Sequence, residues 1–200
     1  MTRLIKSLLL TGTVGMSLLS LGAGTAHAHV LPSLESISGV GPNYTYTYDA
    51  ALDSLQRIEN DDYFTIYDFA GYVPGSIAGP AGWNATAQLV GITPGDVLPA
   101  DDPGLWNLTW TRTGGEILTT PLGWDLGDGF TADSTLNHTI TGTFVGSATR
   151  DHGPLALSKI SNIGDIEVPG PASSTPEPCT LALLGLGAAP LALRRRSRKA

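Results

Sequence analysis

The chain has 200 residues, a single cysteine, and 18 carboxylates against 11 lysines and arginines, for a formal net charge of −7. Residues 29–175 hold only Arg57, Arg112, Arg150 and Lys159 against seventeen carboxylates, a net −13. That surface repels phosphate backbones and anionic headgroups, which excludes nucleic acid as a partner and leaves calcium, cationic partners or neutral glycans.

The N-terminus carries Arg3 and Lys6, then an apolar run over residues 7–24, then Ala26 and Ala28. This is the layout of a secretory signal peptide, with small side chains at the first and third positions before a cut after Ala28. The run contains four glycines and is shorter than the ~20 apolar residues that span a bilayer, so an uncleaved membrane helix fits less well.

Along the body the hydrophobic period is two. In NYTYTYDAALD, Tyr44, Tyr46, Tyr48, Ala50 and Leu52 share one face while Thr45, Thr47, Asp49 and Asp53 take the other, the pattern of a half-buried strand. The following AALDSLQRIEN fits a short helix, through Leu52, Leu55 and Ile58, or a hairpin crossing. NDDYFTIYDFAGYVPG is apolar on both faces, which marks a central strand with Asp68 directed inward. An inward carboxylate is costly unless paired or liganded, so Asp68 reads as an acid, base or ligand, or as a partner of Arg57, Arg112 or loop amides.

LWNLTWTRT places Trp106, Leu108 and Trp110 on one face, and Gly114-Gly115 predicts a tight hairpin into EILTT. HTITGTFVGSATR and LALSKISNIGDIEV complete the strands, ahead of a Pro/Ser-rich stalk. No segment carries a clear helical stripe, and turn residues recur every ten or so positions. The expected fold is all-β, a single antiparallel β-sandwich of the jelly-roll or Ig-like kind over residues 29–168, flanked by an N-terminal signal helix and a short C-terminal transmembrane helix. About 147 residues bury ~68% of their unfolded surface, so one core forms without disulfides.

Two acidic loops offer oxygen ligands for calcium: LPADDPG with Asp101 and Asp102, and WDLGDGFTAD with Asp125, Asp128 and Asp133. Gly127 and Gly129 stand where an EF-hand needs ligands, and Asp128-Gly129 alone reads as a hairpin turn. No other cofactor is implied. Among the four tryptophans, Trp83 and Trp124 lie beside turns and are the expected exposed pair, with Asp101 and Asp102 as further contacts for a sugar. His29, His138 and His152 are scattered, and neither GxSxG nor HExxH occurs, so no catalytic residue is assigned.

The C-terminus joins Pro176, Glu177 and Pro178 to a fifteen-residue apolar stretch, 179–193, and to Arg194, Arg195, Arg196, Arg198 and Lys199. The stretch covers roughly 22 Å against a ~30 Å hydrocarbon core, a marginal anchor suited to a transient stop with its basic end in the cytoplasm. This tail resembles the PEP-CTERM sorting signal of bacterial exported proteins, although Cys179 stands where Ser or Ala is commoner and Pro190 interrupts the helix. It also goes by the name of an ice-binding protein C-terminal domain, which implies no ice binding for the body.

The resemblance covers about the last 25 residues. It implies processing by exosortase after signal peptidase, transient inner-membrane association, and delivery to the periplasm, cell surface or extracellular matrix, often beside extracellular polysaccharide. PAGW, PADDPG and NLTWT further resemble β-rich members of unassigned function. The expected organisation is a signal peptide over 1–28, the body over 29–168, a stalk over 169–175 and the sorting signal over 176–200. The expected role is a non-catalytic structural or interaction protein, with a calcium-assisted carbohydrate-binding module as the alternative.

Overall fold

The computed structural model describes residues 30–118 and 123–172. The signal segment, the sorting tail and their two predicted helices lie outside these residues. Regular structure among the described residues is all β, in two antiparallel sheets. The strands are β1 (Val30–Ser38), β2 (Tyr44–Leu52), β3 (Gln56–Ile58), β4 (Tyr63–Phe69), β5 (Trp83–Gln88), β6 (Trp106–Arg112), β7 (Ile117–Leu118), β8 (Trp124–Asp125), β9 (Phe130–Ser134), β10 (His138–Arg150) and β11 (Lys159–Gly170).

In the smaller sheet β2 is central, with β1 on one side and β8 followed by β9 on the other. The larger sheet runs β5-β6-β4-β10-β3-β7, and β11 pairs along nearly all of β10. Alternation in β2 sends Tyr46, Tyr48, Ala50 and Leu52 into a core shared with Phe64, Ile66, Leu108 and Trp110 of the larger sheet. Aromatic rings dominate the contact. Phe64 stacks on Trp110 with centroids 5.1 Å apart and meets Phe130 edge-on at 5.0 Å. The Trp110 indole N–H donates to the Ala78 carbonyl at 2.7 Å, so the large ring is buried without an unmet donor.

β4 is central, as its apolar pattern requires, and its second face is covered by residues 89–105. Tyr67 is buried there, its hydroxyl 2.8 Å from the Ile92 carbonyl. Asn107 pins the same covering segment, since its amide nitrogen reaches Asp101 Oδ1 at 2.9 Å and its carbonyl oxygen accepts the Asp68 N–H at 2.9 Å.

Several local expectations change. The Gly114-Gly115 turn does not close a hairpin with β6, because both edges of β6 are already occupied by β4 and β5. Gly115, at φ 88°, turns the chain away, and β7 pairs with β3 instead. Of the two readings of residues 50–60, a short helix or a hairpin crossing, the helix falls away: the chain takes strand, turn and strand, with Leu55 at φ 61°, and passes from one sheet to the other. Asp128-Gly129 is not a hairpin turn either, because β8 and β9 lie one after the other along the same edge of β2. The last strand continues to Gly170, two residues into the expected stalk.

Truncating Trp110 to alanine removes the ring that Phe64, Phe130 and Tyr48 all contact. The expected loss is about 3–5 kcal/mol, read from the urea midpoint at unchanged slope.

Candidate functional site

The interruption between β8 and β9 helps build a cluster of carboxylates on the described surface. Ala51 pairs with Asp125 and Tyr48 with Phe130, so five steps on one strand oppose three on the other. The two extra residues make a bulge in which Gly127 and Gly129 take φ 96° and 92°, a conformation that side chains with a Cβ resist. On the opposite edge of β2, β1 carries its own register shift between Leu34 and Ser36, which places Glu35 at a bulge.

Asp49 stands between the two bulges on the polar face of β2. Glu35, Asp49, Asp125, Gly127 and Asp128 line a surface hollow of about 320 Å³. Asp49 Oδ1 is buried with no hydrogen-bond donor. Burial and then the nearby Asp125 carboxyl raise the Asp49 pKa above the ordinary carboxylate value, against a smaller opposing pull from the Ala50 amide. Asp125 Oδ1 accepts the Gly127 N–H at 2.7 Å, which holds the bulge in shape. Chemically, the hollow attracts a proton or a cation. Among the described residues, no group of three or more His, Cys, Asp or Glu stands in ready metal-holding geometry.

The expected calcium set therefore divides. Asp125 and Asp128 meet in the hollow, whereas Asp133 lies farther along β9 opposite Thr45, whose hydroxyl donates to its Oδ1 at 2.7 Å. Glu35 and Asp49 complete the hollow and were not singled out from the sequence. Asp49 could have been noticed on the polar side of the Tyr/Thr alternation, but the bulges that gather its neighbours have no signature beyond Gly127 and Gly129.

Asp101 and Asp102 belong to a different place and tie the covering segment. Asp102 donates its N–H to Asp68 Oδ1 at 2.8 Å, and its own Oδ1 accepts the Gly104 N–H at 2.9 Å. Asp68 sits at φ 57° in a register shift of β4, so it leaves the strand alternation and meets a loop amide rather than Arg57 or Arg112. Burial first, with Asp101 and Asp102 adding, raises its pKa, and the Asp102 amide opposes.

The tryptophan expectation is corrected at Trp83. It is only 9% exposed, packs edge-on against Phe64 and Phe130, and lies beneath the Arg112 guanidinium at 5.7 Å. The Gly82 turn that seemed to expose it instead delivers it into the core. Trp124 is 47% exposed. It pairs with Leu52 while Asp125 pairs with Ala51, so ring and carboxylate point to opposite faces of β8.

Comparisons with protein-family models, curated proteins and solved structures find no match.

A carboxyl whose pKa is raised on folding contributes stability below its unfolded value of 3.8 and loses it as pH rises through the folded value. Asp49→Asn removes that loss, and its amide supplies a donor for Asp125. The variant is expected to melt higher than wild type at neutral pH, with the gap closing as pH falls toward the unfolded value. Thermal melts across that range check the sign.

Proposed function

We propose that the chain is an exported, non-catalytic structural or interaction protein of the bacterial envelope or extracellular matrix. Its body is a β-sandwich of the Ig-like or jelly-roll kind, and its C-terminal PEP-CTERM signal directs sorting and exosortase processing. The observation that carries the non-catalytic reading is where the large aromatic and polar groups are used. Trp83, Trp110, Tyr46, Tyr48 and Phe64 are consumed in the core, and Tyr67, Asn107 and Asp102 fix the segment over β4. Among the charged groups of residues 29–175 carboxylates outnumber cations seventeen to four, a balance suited to hydrated polymer or cationic partners. Export and sorting rest on the residues at the two ends, Ala26 and Ala28, and Pro176, Glu177 and Pro178 with the terminal basic cluster.

A second reading, a calcium-assisted carbohydrate-binding module, is favoured by the unpartnered Asp49 Oδ1 within the four-carboxylate hollow. Trp124 is exposed but points to the opposite face of β8 from Asp125, so a sugar stacked on it lies apart from the calcium in that reading.

Mass spectrometry of both termini in membrane and secreted fractions tests the first reading. A secreted form beginning at His29 and ending near Pro178 is expected, and an exclusively membrane-bound form that retains Lys199 overturns it. For the second reading, millimolar calcium is expected to raise the melting temperature of wild type but not of Asp49→Asn. Equal melts in calcium and chelator remove calcium from the account.

A further inference from the structure

One charged contact away from the hollow is built on a fully buried carboxylate. Asp62 precedes β4 and its side chain is fully buried. Lys159 opens β11, and its Nζ lies 2.6 Å from Asp62 Oδ1 and 3.5 Å from the Asn60 carbonyl oxygen. Asp62 Oδ2 accepts the Glu59 N–H at 2.7 Å and the Thr149 hydroxyl at 3.0 Å. The Glu59 carboxylate, ion-paired with Arg57, faces that hydroxyl at 3.5 Å.

A buried ion pair carries a desolvation cost that its Coulomb attraction offsets only in part. At Asp62 burial is the largest influence and raises the carboxyl pKa, although Lys159, the Glu59 amide and Thr149 all pull the other way. Moving one proton from the ammonium to the carboxylate leaves a carboxylic acid beside a free amine, the two reactants of amide formation. A nitrogen 2.6 Å from a carboxyl oxygen stands close to the carbon it would attack, within reach of the ~3–3.5 Å separation of a near-attack arrangement. The two donors on Oδ2 are placed where negative charge would develop.

We propose that Lys159 and Asp62 become joined by an intramolecular amide between β11 and the start of β4. The Lys159 ammonium first gives a proton to Asp62 Oδ1. The Nζ lone pair then attacks Cγ, and the carbonyl electrons move onto Oδ2, held by the Glu59 N–H and the Thr149 hydroxyl. The Oδ1 hydroxyl takes a second proton from Nζ and leaves as water while the Cγ–Oδ2 double bond re-forms. One C–N bond forms and one C–O bond breaks, with no oxidant, reductant or activated co-reactant. The Lys159 side chain is 47% exposed, which gives the departing water a path to solvent.

The link closes residues 97 apart in sequence, and so restricts the unfolded chain as a disulfide over the same span does. It does so in a body, 29–175, that contains no cysteine and therefore withstands reducing conditions.

The test is the intact mass of the purified exported chain, compared with the mass its sequenced termini dictate. Wild type is expected to be lighter by one water. Trypsin is expected to leave the bond after Lys159 uncut, and the digest to contain the Asp62 peptide joined to the Lys159 peptide. Lys159→Arg is expected to show the full mass. A wild-type chain of full mass overturns the proposal and leaves an ion pair. A water loss that persists in Lys159→Arg also overturns it, since the loss then arises elsewhere, as at Asp128-Gly129. Should the variant fail to accumulate, absence of the joined peptide from the wild-type digest overturns the proposal by itself.

Discussion

The contact of Phe64 with Trp110, Phe130 and Trp83 joins three strands of the larger sheet's core face to β9 of the smaller one. These are rings in stacked and edge-on arrangements rather than interchangeable aliphatic volume, so they fix separation and orientation together. Trp110 then reaches Ala78 through its indole N–H, which draws the connection between β4 and β5 against the core. That connection in turn bonds β9 at Val73 and Ala78. The position of β9, and through it the bulge that gathers Asp125 and Asp128 beside Asp49, follows from how these rings pack.

Where a strand obeys simple alternation, the sequence was a sufficient guide. β2 buries Tyr46, Tyr48, Ala50 and Leu52 as its period of two requires, and β4 lies centrally because residues on both of its faces are apolar. The misreadings share a cause: each depended on where the neighbouring strands lie. Gly114-Gly115 has hairpin chemistry, yet β6 has no free edge to offer. Trp83 follows a Gly turn that suggests a surface loop, but the turn feeds a strand whose inward side meets Phe64 and Phe130. The acidic hollow was half visible, as Asp125 and Asp128, because its other half comes from β1 and β2, some eighty residues earlier. Asp62 was less visible still, since NDDY offers no indication of which aspartate meets Lys159.

Charge is handled in two contrasting ways in the same small body. Around Arg57, carboxylates converge on a guanidinium, with Glu59, Glu116 and Asp151 all in reach. Around Asp49, carboxylates converge on one another. With four cations for seventeen anions in residues 29–175, compensation everywhere is arithmetically closed to this chain. Three of the four cations, Arg57, Arg150 and Lys159, stand where β3 and β11 meet the end of β10, while Arg112 closes β6 over Trp83 and the carboxylates around Asp49 lie where solvent can screen them.

The register shift in β1 has a consequence of another kind. β1 is an outer strand of its sheet, and a long straight outer strand invites the same strand of a neighbouring molecule to add on. Pro32 contributes no N–H, and the shift beside Glu35 breaks the even spacing of the remaining backbone groups while setting a negative charge at the break. Two copies of this chain that approach along β1 therefore meet at an edge that is a poor template for a further strand.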